Sequence, residues 1–515
     1  MKFRNASIIA VVSYIAYTNA AALKGTSCPP VDSKGVQRLV TKNKLMKNLK
    51  DLETIANWNG GNRAFNTPGY TASLNYIKSQ LDTSKTWKSW TQDLEVPYQK
   101  PKVTFVVEGK AYTIGHFQFS MWAGEDDFNV EGEVVEGPPG PASCTPEGYT
   151  GLNVTGKIVF VDGANCPGGV WQSPWVHYGD VVAPRLRAAH SAGALAVVVH
   201  LNEKYEAGLV GFKQMPDRKD FSPSGYMAYT DGLHLLSLIR RTGRPVLAKF
   251  ENSWFSGKSL TQNLFSESIG GDPTNVIMIG AHLDSIRNGP GINDNGSGSS
   301  LLIALFHALQ SYCPKNRIRF AWWGAEELGL YGSNHYVSNL SKQEADDILV
   351  YLNFDMIGHG YFGVFDGNST SKPEDPYSLT SPPGSSVIEK LFVDYLVGSG
   401  VPITKEPLVA NTDIAGFVEL NKAVGGMHSG SIGVDFCYHR KCDDYTNINE
   451  THIEIIGKAT AHVVSVLSNE GAKIIPKALS HSVNEDGRVI PTKVWDKKPS
   501  ISEKVDVTVG DVLGI

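Results

Sequence analysis

From about residue 275 the chain alternates between apolar runs of strand length and segments with helical periodicity. Val276–Ala281 is a continuous apolar run, and an apolar helix is predicted at about 298–311. Arg317–Trp323 and Leu349–Asp355 have the length and composition of two more strands, with a helix predicted between them at Leu328–Leu340. Strands that alternate with helices in this way form a mostly parallel sheet with helices on both faces. The sequence therefore predicts an α/β fold for this half of the chain.

The region before this alternation has a different pattern, which predicts a second domain. Amphipathic helices are expected at 37–57 and from Pro68 onward. Between about 115 and 255, short β-type runs such as Lys157–Asp162 stand among many Gly and Pro residues. The expected organisation is a signal peptide at 1–20, a main domain formed by 37–114 and 256–470, an inserted β-rich domain at 115–255, and a C-terminal tail at 471–515.

The first 22 residues have the layout of a secretory signal peptide. Lys2 and Arg4 precede the apolar run Ile8–Ala16, and small residues follow, so that cleavage is expected after Ala20 or Ala22. The run is shorter than the roughly 20 apolar residues that a membrane span requires. We therefore expect a secreted, extracellular protein without a membrane anchor. Delivery to a vacuole is a second destination that such a signal allows.

The composition narrows the class of protein further. The chain has 47 Lys and Arg against 52 Asp and Glu, a net charge of −5, and no long basic stretch, which argues against nucleic acid as a partner. Its 20 Phe, 20 Tyr and 10 Trp can build a large core, so the chain is not disordered. These numbers fit a globular enzyme.

Ionisable side chains follow each of the three predicted strands. In chain order they are His282, Asp284, Asp294, Glu326, Glu327 and Asp355. In an open α/β sheet, ligands bind at the edge where the carboxyl ends of the strands meet. Carboxylates clustered at that edge would repel one another unless a cation lay among them. Imidazole nitrogen and carboxylate oxygen together are metal ligands, so the sequence predicts a metal site.

Motifs of other enzyme classes are absent or stand in the wrong context. The chain has no G-x-S-x-G sequence and no H-E-x-x-H sequence, which argues against a serine α/β-hydrolase and a helix-borne zinc protease. Gly358–Gly363 matches the G-x-G-x-x-G pattern of dinucleotide-binding proteins. Because Val364–Gly367 follows it instead of a helix, that interpretation is weak.

Several strings of the sequence resemble the secreted di-zinc aminopeptidases. They are NGGNRAFNTPGY (59–70), AHLDS (281–285), GINDNGSGS (291–299), FAWWGAEELGLYGS (320–333), NFDMIG (353–358) and CYHRKCD (437–443). The resemblance covers roughly 37–110 and 255–470. Between these ranges, VTGKIVFVDGANCPGG and AAHSAGALAVVV resemble a protease-associated domain. The resemblance implies a zinc-exopeptidase fold with this domain inserted, and a zinc-dependent aminopeptidase that hydrolyses peptide bonds.

The same resemblance implies two zinc ions per chain. One would be bound by His282, Asp294 and Asp355. The other would be bound by Glu327, His439 and again Asp294, which would bridge the pair. Two zinc ions roughly 3.5–4 Å apart lower the pKa of a bridging water and polarise the carbonyl of the peptide bond.

Three further side chains would take part in the reaction. Glu326 would be the general base, because a base must reach the water without binding the metals itself. Asp284 would hold the imidazole of His282 in orientation. Tyr438 would donate a hydrogen bond to the developing oxyanion, and a Cys437–Cys442 disulfide would hold its loop.

The implied function is the release of single residues from peptides with a free N-terminus, by a protein that we expect to be a monomer. The apolar Met356 suggests a hydrophobic first residue, and a preference for leucine is implied by the resemblance alone. Two positions depart from the family pattern. Asn411–Asp413 stands where several bacterial relatives have Arg-Ser-Asp, and His428 stands where Phe is common.

Three alternatives would use the same scaffold. A single-zinc glutaminyl cyclase is disfavoured by the presence of His282 together with Asp294 and Asp355. A carboxypeptidase of the same clan would need an arginine cluster for the substrate carboxylate, which we do not find. A receptor-like binding protein would have lost ligands, whereas all five ligands and Glu326 are present.

The cysteines and sequons fit an exported protein. Six cysteines can form three disulfides in an oxidising compartment. Short separations favour Cys437–Cys442 and then Cys144–Cys166, which leaves Cys28–Cys313 by elimination. Sequons for surface glycosylation stand at Asn153, Asn339, Asn368 and Asn449. A fifth, at Asn295, lies in the predicted metal loop and is expected to stay unmodified, and the resemblance implies a cis peptide between Asp294 and Asn295.

Overall fold

The structure is a computed structural model. It describes residues 28–112, 114–116, 128–163, 166, 178–200, 221–227, 229–370, 378–430 and 434–478. The predicted signal peptide and all but the first residues of the predicted tail lie outside the described residues. In the described part of the chain, no helix is long and apolar enough to cross a membrane.

The described residues form fourteen strands and eleven α-helices. The strands are β1 (Trp87–Val107), β2 (Lys110–Tyr112), β3 (Ile114–His116), β4 (Phe128–Glu136), β5 (Ile158–Asp162), β6 (Ala196–His200), β7 (Ser224–Met227), β8 (Val246–Ser268), β9 (Asp272–His282), β10 (Asn316–Trp323), β11 (Ile348–Asp355), β12 (Gly363–Phe365), β13 (Thr404–Glu406) and β14 (Ala423–His428). The helices are α1 (Ser33–Leu39), α2 (Lys42–Trp58), α3 (Pro68–Leu81), α4 (Tyr178–Ser191), α5 (Tyr229–Thr242), α6 (Gly298–Leu309), α7 (Tyr331–Ser338), α8 (Lys342–Asp347), α9 (Ser385–Gly398), α10 (Ala415–Glu419) and α11 (Glu450–Ile474).

The strands hydrogen-bond into one extended sheet. Apart from β1 and β2, their order is β13-β12-β14-β11-β9-β10-β8-β4-β5-β6-β7-β3. At the centre of the main domain, β14, β11, β9 and β10 are parallel neighbours. On one side β8 pairs antiparallel with β10, and on the other β12 pairs antiparallel with β14. The predicted α/β fold with a mostly parallel sheet is confirmed.

Helices cover both faces of this central sheet, as predicted. The sequence of α6 is apolar on every side, which is typical of a buried helix, and it packs between the sheet and α2. On this face Leu49, Leu305 and Val464 are fully buried in one core. On the opposite face the rings of Tyr351 and Phe417 stack with centroids 3.7 Å apart. Each such buried side chain contributes about 1.5–3 kcal/mol to the free energy of unfolding.

The helix predicted at Leu328–Leu340 begins later than expected. A short 3-10 turn covers Glu326–Leu328, and the α-helix begins only at Tyr331. Gly329 and Leu330 both have positive φ values, of 118° and 59°. An α-helix cannot continue through this left-handed backbone region, and the apolar periodicity of the segment did not reveal the break.

The inserted domain is attached through a long two-stranded ribbon. β1 and β8 pair antiparallel from Trp87↔Ser268 at the main domain to Val107↔Ala248 at the inserted domain. Beyond the ribbon, β4, β5, β6 and β7 continue the sheet. This part of the sheet has a separate apolar core on each face. Helix α4 covers one core and helix α5 covers the other. The chain therefore enters and leaves this domain at adjacent points.

Candidate active site

The carboxyl ends of neighbouring strands bring the predicted ligands to one edge of the sheet. β9 ends at His282, and its neighbour β11 ends at Asp355. Glu327 follows β10, on the other side of β9. Asp294 lies in the turn that leads from β9 into α6. His439 comes from the loop between β14 and α11, more than 140 residues further along the chain than Asp294.

The two imidazoles face opposite oxygens of a single carboxylate. Oδ1 of Asp294 lies 3.1 Å from Nε2 of His282, and its Oδ2 lies 3.1 Å from Nε2 of His439. Oδ1 of Asp355 is 3.2 Å from Nε2 of His282. Oε2 of Glu327 is 3.0 Å from Nε2 of His439. The five side chains thus form two groups of three, each suited to one metal ion, and Asp294 belongs to both.

The donor set fits zinc. Each group offers one imidazole nitrogen and two carboxylate oxygens, which are common zinc ligands, and leaves room for a further ligand at a tetrahedral ion. Oε1 of Glu327 is buried, and in the described part of the structure it has no hydrogen-bond partner. Buried polar atoms in native proteins are nearly always satisfied, so a cation at this place would complete the site.

Arg63 supports the loop that carries Asp294. Its guanidinium group is fully buried and donates to the carbonyl oxygens of Pro290 at 2.9 Å, Gly291 at 2.6 Å, and Leu283. Burial lowers the pKa of Arg63 to about 10, so the group still carries its charge at neutral pH. Arg63 lies in the string 59–70, and nothing in the sequence indicated this role.

Asp443 holds the same loop from the opposite side. Its carboxylate accepts hydrogen bonds from the backbone N–H groups of Asn293 at 2.8 Å and Asp294 at 3.0 Å. Burial raises the pKa of Asp443 to about 7. This residue is the last letter of the string 437–443, so its position next to the His439 loop was visible in the sequence, although its contact was not.

The peptide between Asp294 and Asn295 is cis, which confirms the prediction. Asn295 is fully buried, and its amide donates to the carbonyl oxygen of Phe354 at 2.8 Å. Its side-chain oxygen accepts from the backbone N–H of Gly298 at 2.9 Å. A buried and bonded amide cannot carry a glycan, which supports the expectation that this sequon stays unmodified.

Asp284 contacts its neighbours differently from the expected arrangement. Nδ1 of His282 lies 3.0 Å from the carbonyl oxygen of Asp284 but 3.8 Å from its carboxylate. The carboxylate instead accepts from the backbone N–H groups of Glu326 at 3.1 Å and Glu327 at 3.3 Å. Burial raises the pKa of Asp284 to about 7. Asp284 thus orients the imidazole through its main chain and the two glutamates through its side chain.

Glu326 lies beside both ligand groups and belongs to neither. Its Oε2 is 3.9 Å from Nε2 of His282, which is beyond hydrogen-bond distance. Burial raises the pKa of Glu326 well above its ordinary value, and the nearby carboxylates of Asp413 and Glu327 raise it further, whereas the imidazole lowers it. A carboxylate with a raised pKa accepts a proton more readily, as a general base requires.

Tyr438 stacks on the imidazole of His439, with ring centroids 3.8 Å apart. Burial and the surrounding carboxylates raise the pKa of Tyr438 well above its ordinary value, so the hydroxyl keeps its proton. The Cys437–Cys442 disulfide closes the loop around both residues. All three expected disulfides are present, since Cys144–Cys166 and Cys28–Cys313 are also paired.

Asp413, the last residue of the stretch 411–413 that departs from the family pattern, also lies near the site, since its carboxylate raises the pKa of Glu326. Asp413 is buried and accepts a hydrogen bond from Oγ of Ser333 at 2.5 Å. Burial raises the pKa of Asp413 to about 7. Its neighbour Thr412 accepts from the side-chain amide of Asn353 at 2.6 Å, whereas Asn411 is exposed.

An α/β sheet whose carboxyl edge holds two adjoining groups of imidazole and carboxylate ligands defines a metal-dependent hydrolase. The chain belongs to peptidase family M28, whose model matches residues 263–464, and a PA domain model matches residues 130–235. Both findings agree with the resemblance seen in the sequence.

Individual relatives give the same result. The chain is 31% identical to an aminopeptidase of Pseudomonas aeruginosa, over 84% of this chain and 82% of that protein. It is 28% identical to leucine aminopeptidase 2 of Trichophyton rubrum, over 90% of this chain and 92% of that protein. A solved zinc aminopeptidase from Bacillus subtilis has the same fold, with a TM-score of 0.59 at 19% identity, over 85% of this chain and 99% of that one. The protein is a zinc-dependent hydrolase of the aminopeptidase type.

Proposed function

We propose that the protein is a secreted aminopeptidase that uses two zinc ions to release single hydrophobic residues from the N-termini of peptides. The observation that carries the proposal is the position of Asp294. Its two carboxylate oxygens face two different histidines at the same distance of 3.1 Å. A single carboxylate placed in this way suits a bridge between two ions.

The ligands of such a pair of ions would come from the two groups of residues described above. His282, Asp294 and Asp355 would hold one ion, and His439 and Glu327 would complete the other group with Asp294. When bound, a zinc pair acts as a Lewis acid that activates water and polarises the carbonyl of the substrate.

Glu326 would move the proton in the reaction. As a general base, its carboxylate would accept a proton from the attacking water and later give it to the amine that leaves. Its position supports this role, because neither of its oxygens belongs to a ligand group. Tyr438, which keeps its proton, would donate to the oxyanion that develops on the peptide carbonyl.

Two further features support the finer parts of the proposal. Met356 is buried directly after Asp355 and offers an apolar wall for the first residue of the substrate. The three disulfides suit an oxidising compartment, which supports export from the cell.

Metal content and substrate choice test the proposal together. We expect two zinc ions per chain by mass spectrometry, hydrolysis of leucyl p-nitroanilide, and no hydrolysis of its N-acetyl derivative. Asp294→Ala should lose both ions, whereas Asp355→Ala should keep the ion bound by His439 and Glu327. One zinc per chain in the unmodified protein would favour the cyclase, and no zinc would favour the binding protein.

A further inference from the structure

Three polar side chains meet beside Asp355 without belonging to either ligand group. His428 ends β14, which pairs with β11, and its Nδ1 lies 2.7 Å from the carbonyl oxygen of Asp355. Glu406 ends β13, and Tyr361 lies just before β12. All three side chains are half-buried, so a bound molecule can reach them.

Gly363 allows these side chains to come together. It pairs with His428 between β12 and β14. A Cβ atom at this position would lie 2.5 Å from Cγ of Glu406 and 3.0 Å from Cε2 of Tyr361, and it would also collide with the carbonyl oxygen of His428. Glu406 and Tyr361 therefore lie over the same glycine, close enough for each side chain to shift the pKa of the other.

Glu406 brings an acidic group to this place without a basic partner. In the described part of the chain no Lys or Arg forms an ion pair with it, and the adjacent Lys405 pairs with Glu389 at 2.8 Å instead. Burial raises the pKa of Glu406, while the nearby hydroxyl of Tyr361 and the imidazole of His428 lower it. A half-buried carboxylate of this kind gains from a cation that replaces its lost water.

We propose that Glu406 lets the enzyme also accept peptides whose first residue is Lys or Arg, with Tyr361 and His428 shaping the same end of the substrate pocket. This inference rests on the aminopeptidase function proposed above. Glu406 would form the far, acidic end of the pocket, and leucine would fill only its near part.

The spacing of the strands favours a long basic side chain. The order β13-β12-β14-β11 places two sheet spacings, each about 4.8 Å, between the strand of Gly363 and the strand that ends at Asp355. A short side chain of a peptide bound at Asp355 would not cover this distance. Lys and Arg have a long apolar stem and a charged end, and this combination suits a carboxylate at such a distance.

The unmodified enzyme provides the first test. Lysyl and ε-acetyl-lysyl p-nitroanilides share the same stem and differ in charge. We expect kcat/KM to be about tenfold higher for the lysyl substrate, because only its ammonium group can pair with Glu406. Equal values for the two substrates in an enzyme that cleaves leucyl p-nitroanilide would refute the inference and leave the proposed function intact.

A matched pair of variants provides the second test. Glu406→Gln keeps the size of the side chain and removes its charge. We expect this variant to keep two zinc ions per chain, because Glu406 belongs to neither ligand group, and to lose the preference for the lysyl over the ε-acetyl-lysyl substrate. Glu389→Gln, the same change at a buried carboxylate outside this group, should keep the preference. An unchanged preference in Glu406→Gln would overturn the inference. If the zinc-loaded unmodified enzyme cleaved none of these substrates, the proposed function itself would be contradicted.

Discussion

Glu326 and Glu327 are neighbours in the chain, yet they face different parts of the site. The carboxylate of Asp284 fixes the backbone N–H groups of both, so the turn that carries them has a defined orientation. In that turn Glu327 meets His439 at 3.0 Å, while Glu326 points toward His282 at 3.9 Å. One glutamate can therefore bind a metal while the other remains available for proton transfer.

The separate roles of the two glutamates give a direct prediction. Glu326→Gln keeps the shape of the side chain but cannot accept a proton, so turnover should fall at least about 100-fold. Both zinc ions should remain, because Glu326 belongs to neither ligand group. Steady-state kinetics and zinc analysis of the same preparation measure the two effects. Loss of zinc, or turnover near that of the unmodified enzyme, would contradict the role of general base.

A buried histidine away from the ligands should make the stability depend on pH. Burial and the nearby charge of His359 lower the pKa of His452 to about 4. Its ring stacks on Phe362 with centroids 4.2 Å apart, and Nε2 lies 2.9 Å from Oγ of Ser429. The unfolded chain, with a histidine pKa of about 6.5, binds the proton more readily than the folded protein. Stability is therefore unaffected above about pH 6.5 and decreases as the pH falls toward 4, by on the order of 3 kcal/mol.

His452→Gln tests this dependence, because glutamine does not titrate in this range. The variant should show a smaller decrease in the thermal unfolding midpoint between pH 6.5 and 4.5 than the unmodified protein. The zinc sites are the same in both proteins, so their contribution cancels in the comparison. An equal decrease in the unfolding midpoint of the two proteins would show that protonation of His452 does not change the stability.

Among the structural elements, the loop between β14 and α11 connects the two ligand groups. It presents His439 inside the Cys437–Cys442 disulfide, and its Asp443 and Asp435 bind Asn293, next to Asp294. The loop therefore carries His439 itself and also holds the backbone of Asp294, the residue that belongs to both groups.

Removing this disulfide should weaken one metal group more than the other. In the double variant Cys437→Ser with Cys442→Ser, we expect the affinity of the His439 group for zinc to fall about 10–100-fold, as for lost supporting contacts elsewhere. The His282 group should change less, because its imidazole comes from a strand. Competition with a chelator measures both affinities. The matched control is Cys144→Ser with Cys166→Ser in the inserted domain. An equal loss of zinc affinity in both double variants would argue against a specific role of the Cys437–Cys442 disulfide in holding His439.

The sequence predicted those elements and site residues that depend on local patterns. The strands that end near His282 and Asp355 are apolar runs, and the carboxyl edge of a parallel sheet brings their ends together whatever the exact packing. His439 was identified only through the string 437–443, which resembles the di-zinc aminopeptidases, because no local pattern connects this residue to the edge of the sheet. The contacts of Arg63 and of Glu406 could not be predicted, because each depends on packing between segments far apart in the sequence.

At the scale of the whole molecule, the ribbon of β1 and β8 joins the inserted domain to the main domain. Near the middle of the ribbon the ring of Tyr98 contacts Phe65 edge-on with centroids 6.0 Å apart, and Ser259 donates to Asn66 at 3.0 Å. Arg63, two residues before Phe65, holds the loop that carries Asp294. No residue of 115–255 belongs to a ligand group among the described residues. The ribbon that carries the insert thus contacts the segment of Arg63, and the described residues of the insert contribute no ligand.

We predict that the inserted domain limits access of long or folded chains to the site. The register of the ribbon shows how to remove it, because Tyr98 pairs with Gly257. Joining these two residues through Asn-Gly, which favours a tight hairpin turn, keeps the contact of Tyr98 with Phe65. The shortened enzyme should keep two zinc ions and its activity on aminoacyl p-nitroanilides, since every ligand remains. On a ladder of peptides of increasing length, its kcat/KM should decrease less with length than that of the full chain. The same length profile in both enzymes, with zinc and small-substrate activity retained, would show that the insert serves stability or sorting instead.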